Sequence, residues 1–194
     1  MSDSNLNKEA RMTKFNSLCV KYKEKKERNL AYARTSGQYA ATVAKGFSDF
    51  IEAPSHSFVL EEGDGRKSSH KYVEVVLVDE NWAEASRSVI SLNSMYFDGN
   101  GFLRFFLALT VEPAVNAHPK RVIQVPCGIK PIGSHSCDFF VGRPEDSVRH
   151  KVFDIGDIAN ISEEINEHLF ILLANYLDSL PFEGESKGKV IGFI

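Results

Sequence analysis

The side chains whose types best suit chemistry fall close together late in the chain: Cys127, His135 and Cys137. Thiolates and imidazole are the usual ligands of zinc. A strand–turn–strand reading with its turn near Ile132 sets the two cysteines close to opposite each other, and His135 leans to the same side. His118 or His150 would be the fourth ligand. The spacing argues against it, because structural zinc sites commonly use a tight Cys-Cys knuckle and none is present. A free cysteine is also among the most buried residue types simply as a small hydrophobe. A Cys–His nucleophile pair is weaker still, since nothing nearby would orient the imidazole. A metal-dependent enzyme at this corner is therefore a minor reading, and no cofactor is expected.

Carboxylates offer a second chemistry, with Asp98, Glu112, Asp138, Asp154 and Asp157 at expected strand ends. A metal-dependent nuclease would pair an Asp with a Glu-x-Lys or Gln-x-Lys strand, and Gln124 is followed by Val125 and Pro126 instead. Asp98 is better explained as a turn residue, and Asp154–Asp157 as a loop leading to a helix. The Gly63–Ser69 loop holds glycine, lysine and serine, but a phosphate-binding P-loop needs another spacing and a following helix, whereas a strand follows here. It reads as a hairpin loop. His-Glu-x-x-His, dinucleotide and Gly-x-Ser-x-Gly signatures are all missing from the sequence. The balance leans against an enzyme.

Charge supplies another candidate. Residues 1–50 carry ten Lys/Arg against five Asp/Glu, and residues 51–194 carry thirteen against twenty-one, so a basic first quarter precedes an acidic remainder. Lys21, Lys25 and Arg28 lie in the cluster responsible. A solvated helix face with internal ion pairs accounts for such a run, while an acidic protein partner or nucleic acid is the functional alternative.

These candidates must be positioned by periodic elements. Met12, Phe15, Cys19 and Tyr22 recur at helical spacing over about 6–29, and Tyr39, Ala40, Val43, Ala44, Phe47 and Ile51 do so over a second segment ended by Pro54. Arg34-Thr35-Ser36-Gly37 lies between them, so the segments form a helical hairpin, or one helix kinked near Gly37. Short strands follow at Ser57–Glu61 and Lys71–Asp79. Asn81–Val89 is ambiguous; Asp79 would cap a short helix there, with Trp82 anchoring the connection on the sheet.

Asp98-Gly99-Asn100-Gly101 then predicts a tight turn. Leu103, Phe105, Leu107, Leu109 and Val111 alternate with Phe102, Arg104, Phe106, Ala108 and Thr110, the signature of a central strand. Strands near Arg121–Val125, Cys137–Val141 and His150–Ile155 extend a meander, with Pro126 confined to an edge, bulge or strand end. Asn160 and Glu163 form a capping box for a helix reaching about Leu180. Its second half is apolar nearly all round, including Phe170, and so is buried or shared with another copy. An apolar tail with Val190, Ile191 and Phe193 either adds a strand to its own sheet or pairs with a partner.

The fold expected is α+β: a mainly antiparallel meander sheet of five to seven strands, covered by the N-terminal helical hairpin and the C-terminal helix. Residues 1–53 form the hairpin, 54–180 complete the same domain, and 181–194 are a flexible linker and apolar tail. Three cysteines in 194 residues, with no apolar leader and no run near the roughly 20 residues that span a bilayer, point to a cytoplasmic protein off the membrane. The expected function is non-catalytic: an oligomeric adaptor that binds protein partners or itself, with Lys21, Lys25, Arg28, Phe170, Val190, Ile191 and Phe193 as contact residues. Nucleic-acid binding through the basic first helix is the alternative.

Overall fold

A computed structural model describes residues 14–61, 67–87, 91–113, 120–143, 147–153, 163–178 and 192–193. The architecture is α+β. Helix α1 spans Lys14–Phe50 and α2 spans Glu163–Asp178. Strands β1 (Phe58–Glu61) and β2 (Lys67–His70) make a separate antiparallel ribbon. The main sheet takes β3 (Val73–Val78), β4 (Glu84–Ser86), β5 (Leu103–Val111), β6 (Arg121–Pro131), β7 (Ser136–Val141) and β8 (Val148–Phe153) in the order β4-β3-β5-β6-β7-β8. All these pairings are antiparallel, and β9 (Gly192–Phe193) joins the flank of β6 that β7 leaves open.

Alternation in β5 does what its sequence demands. Leu103, Phe105 and Leu107 share a face with Val73, Val75 and Leu77 of β3, with Ile123, Val125, Cys127 and Ile129 of β6, and with Cys137, Phe139 and Val141 of β7. That face is covered by Tyr39, Ala40, Val43, Ala44 and Phe47 of α1 and by Ile165, Leu169 and Leu173 of α2. Glu163 and Glu164 lie in the first turn of α2, where carboxylates favour the positive end of the helix dipole. The capping box expected at Asn160 lies outside the described residues.

One helix replaces the expected hairpin. Ser36 and Gly37 interrupt nothing; both are buried within α1. The Ser36 hydroxyl donates to the Tyr32 carbonyl at 2.9 Å, so it is satisfied inside the helix. Small residues here let the helix approach the sheet. The helix stops after Phe50: Glu52 turns at φ 52°, Ala53 N–H returns to the Ser48 carbonyl at 2.9 Å, and Pro54 follows.

The connection after β3 forms a turn and a strand in place of the expected short helix. Asp79 does cap, but it caps a turn and not a helix: its carboxylate accepts from the N–H groups of Asn81 and Ala83 at 2.8 and 2.9 Å. Trp82 takes φ 62° there, and the chain returns as β4. The Trp82 ring rests on Phe106 at 5.6 Å, anchoring the connection to the sheet as expected.

At the central turn, Asp98 Oδ1 accepts from Asn100 and Phe102 N–H groups, each at 2.9 Å, and Gly101 takes φ 83°. Pro126 pairs with Phe106 of β5 on one side, and on the other it lies past the end of the β7 pairing, where the flank of β6 is open. Its carbonyl accepts from Gly142 N–H at 2.8 Å, so the side lacking a donor faces the position where β7 has just ended. The missing N–H costs the ladder nothing there.

Candidate functional site

A helix of 37 residues is about 55 Å long, and the sheet supports only part of it. Tyr32 and Tyr39 clamp the supported part. Tyr32 Oη donates to the Gly101 carbonyl and Tyr39 Oη to the Ser134 carbonyl, both at 2.7 Å. Burial raises the pKa of both phenols, with Asp98 adding to it at Tyr32 and Cys137 at Tyr39, so they stay protonated donors. Buried positions in α1 begin at Ala33.

Residues 14–31 project beyond this clamp as an arm. Phe15 is 72% exposed, Leu18 64% and Tyr22 70%, values that leave three large apolar side chains with almost nothing against them. At 100° per residue, Phe15, Leu18, Cys19 and Tyr22 line up with Ala33, Ser36, Gly37, Ala40 and Phe47. The face that seals the sheet core therefore continues outward uncovered. Lys21, Lys25 and Arg28, at spacings of four and three, continue the other half of that face on the line of the buried Tyr39, Val43 and Gly46; all three are exposed and have no ion pair among the described residues. Where the arm leaves the body, a cleft of about 420 Å³ opens between Tyr22, Lys26 and Leu30 on one side and Leu92, Met95 and Phe97 on the other.

The other expected contact residues lie apart from the arm. Phe170 is half-exposed beside Phe50, with ring centroids 6.5 Å apart, at the opposite end of α1. Ile171 and Leu177 of α2 are exposed too. In the tail, the backbones of Gly192 and Phe193 pair with Gln124 and Ile123, which is the strand addition to its own sheet. Val190 and Ile191 lie outside the described residues.

The Cys127/His135/Cys137 corner is taken apart by strand register. Cys127 stands opposite Val141 and Cys137 opposite Pro131, so the cysteines are offset by four residues, about 13 Å along the strands. Both are fully buried in the apolar core, while His135 is exposed in the turn. Burial pushes the Cys127 thiol up and the Cys137 thiol up to about 12, the Asp138 charge adding to the latter. Neither supplies a thiolate. Of the remaining ligand candidates, His118 is outside the described residues, and His150 meets His168 instead, Nε2 to Nδ1 at 3.0 Å.

A hydrogen-bonded polar cluster was missed by sequence reasoning. It sits where β2 passes into β3: Ser68 Oγ is 2.5 Å from His70 Nε2, and His70 Nδ1 is 3.1 Å from Glu74 Oε1. Arg87 donates to the same Glu74 oxygen and grips Glu84 through Nε at 2.8 Å and Nη2 at 2.9 Å. Burial works against the Arg87 charge, but Glu84 and Glu74 outweigh it and raise its pKa. The only sequence signal was Ser68 and His70 on one side of a strand. Glu74 joins them because the chain bends at Tyr72, between β2 and β3.

No protein-family model, no curated protein and no solved structure matches this chain.

Proposed function

We propose that this protein is a cytosolic binding protein that self-associates through its N-terminal helical arm. One observation carries this reading: part of the helix face that covers the sheet runs on past it as an apolar stripe, Tyr22 at the rim of the cleft and then Leu18 and Phe15, all three largely exposed. Large apolar side chains gathered on one exposed stripe mark an interaction surface, in contrast to single scattered ones. The arm is basic and the remainder of the chain acidic, so a second copy offers surface of the complementary sign. The exposed Phe170, Ile171 and Leu177 of α2 extend the apolar area available to that copy. Three free thiols, Cys19, Cys127 and Cys137, suit a reducing compartment. The same apolar stripe would serve an adaptor holding a different acidic protein.

Size-exclusion chromatography with light scattering tests the reading. The protein is expected to elute above its 21.7 kDa monomer mass, and Leu18→Asp with Tyr22→Asp is expected to return it to that mass. A second reading is supported by the alignment of Lys21, Lys25 and Arg28: the arm binds nucleic acid through them. Binding to duplex DNA at low salt that falls steeply as salt rises, and is lost in a Lys21/Lys25/Arg28→Ala triple variant, would favour it over self-association.

A further inference from the structure

The hydrogen-bonded series Ser68–His70–Glu74 lies away from the arm and is explained by neither reading of it. Three features distinguish it from a histidine merely satisfied in a core. First, the imidazole is fixed: His70 is 6% exposed and stacks on Phe58 with ring centroids 5.9 Å apart. Second, both ring nitrogens are engaged: Nδ1 lies 3.1 Å from Glu74 Oε1, with Arg87 Nη1 at 3.4 Å, and Nε2 lies 2.5 Å from Ser68 Oγ. In the tautomer that gives Nδ1–H to Glu74, the Nε2 lone pair accepts from the Ser68 hydroxyl. Third, Ser68 is only partly buried. A hydroxyl held on a base, with the base oriented by a third group, is the arrangement of an activated nucleophile, recognised by geometry whatever the order in the chain.

We propose that Ser68 is a nucleophile with His70 as its general base and Glu74 as the positioning residue, and that this cluster hydrolyses small acyl esters. Ser68 Oγ attacks the ester carbonyl carbon while its proton passes to His70 Nε2. The carbon–oxygen bond to the leaving alcohol breaks, and the alcohol departs with that proton. A water molecule then attacks the acyl-serine, gives a proton to His70 Nε2, and releases the acid as the proton returns to Ser68 Oγ. Ester and water become acid and alcohol, with no other reactant consumed.

The test uses the full chain and a fluorophosphonate probe, in which Ser68 Oγ would displace fluoride from phosphorus. Intact mass and peptide mapping are expected to show one adduct, on Ser68. Ser68→Ala removes it, and Ser69→Ala, on the other side of the strand, leaves it unchanged. His70→Gln is expected to slow labelling by at least about 100-fold, the usual scale of a general base. Glu74→Gln should also slow it, and Glu74→Asp should restore part of the rate. A thermal melt of each variant checks folding. No adduct on Ser68 of the unaltered protein overturns the proposal, and so does a Ser68 adduct formed equally fast by a folded His70→Gln variant.

Discussion

Phe140 lies flat on the one position of β6 that has no side chain. A Cβ placed on Gly128 would stand 2.1 Å from the Phe140 ring, and the two residues are directly paired across β6 and β7. Phe140 is itself buried and packs on Phe102 at 5.2 Å, so it has no open space to move into. Gly128→Ala is therefore expected to destabilise the fold by about 2–3 kcal/mol, toward the upper end of overpacking costs, measured as a lower urea midpoint with unchanged slope. The paired histidines on the other face give a pH dependence. Burial, and then the neighbouring His150, lowers the pKa of His168, with Glu164 opposing. The unfolded chain thus binds the proton more readily than the folded one. Stability is full above the ordinary imidazole value and falls as pH drops from there toward the lowered folded value. His168→Gln is expected to flatten that acid limb in urea titrations at stepped pH. These contacts were hidden from the sequence for one reason: which side chain stands beside Gly128 or His168 depends on register. Ser68, His70 and Glu74 were hidden in a similar way, because a bend at Tyr72 brings the carboxylate to the imidazole.

At the scale of elements, periodic signals were legible and punctuation was not. The strict alternation of Leu103–Val111 can bury one face only as a strand, and β5 is that strand. Asp98 and Gly101 specify a turn by carboxylate capping and positive φ, and both are used. Ser36-Gly37 failed as a stop signal because small residues also serve close helix–sheet packing, and only the neighbouring sheet separates the two uses. Asp79 failed likewise, since an N-cap and a tight turn ask the same hydrogen bonds of it. The clamp on α1 is expected to carry measurable energy. Tyr32→Phe and Tyr39→Phe each remove one hydrogen bond to a loop carbonyl and should cost about 1 kcal/mol apiece. Because the two carbonyls lie in separate loops, the double variant should show near-additive loss by chemical denaturation. Leu18→Asp and Tyr22→Asp, by contrast, should leave the unfolding transition of the isolated protomer almost unmoved, since both side chains already face water.

Taken whole, the molecule divides into a body whose sheet is sealed by two helices and a basic arm that seals nothing. No helix among the described residues is long and apolar enough to cross a membrane. The charge contrast adds a salt dependence: if arm and acidic body meet between copies, association weakens as salt rises, while the apolar stripe keeps a residual part of it. The sharpest measurement is sedimentation velocity of the wild-type chain beside the Leu18→Asp/Tyr22→Asp variant over a range of protein concentrations. A concentration-dependent species larger than the 21.7 kDa protomer, lost in the folded variant, is the predicted result. A wild type that stays monomeric throughout, or a variant that assembles as the wild type does, would contradict it.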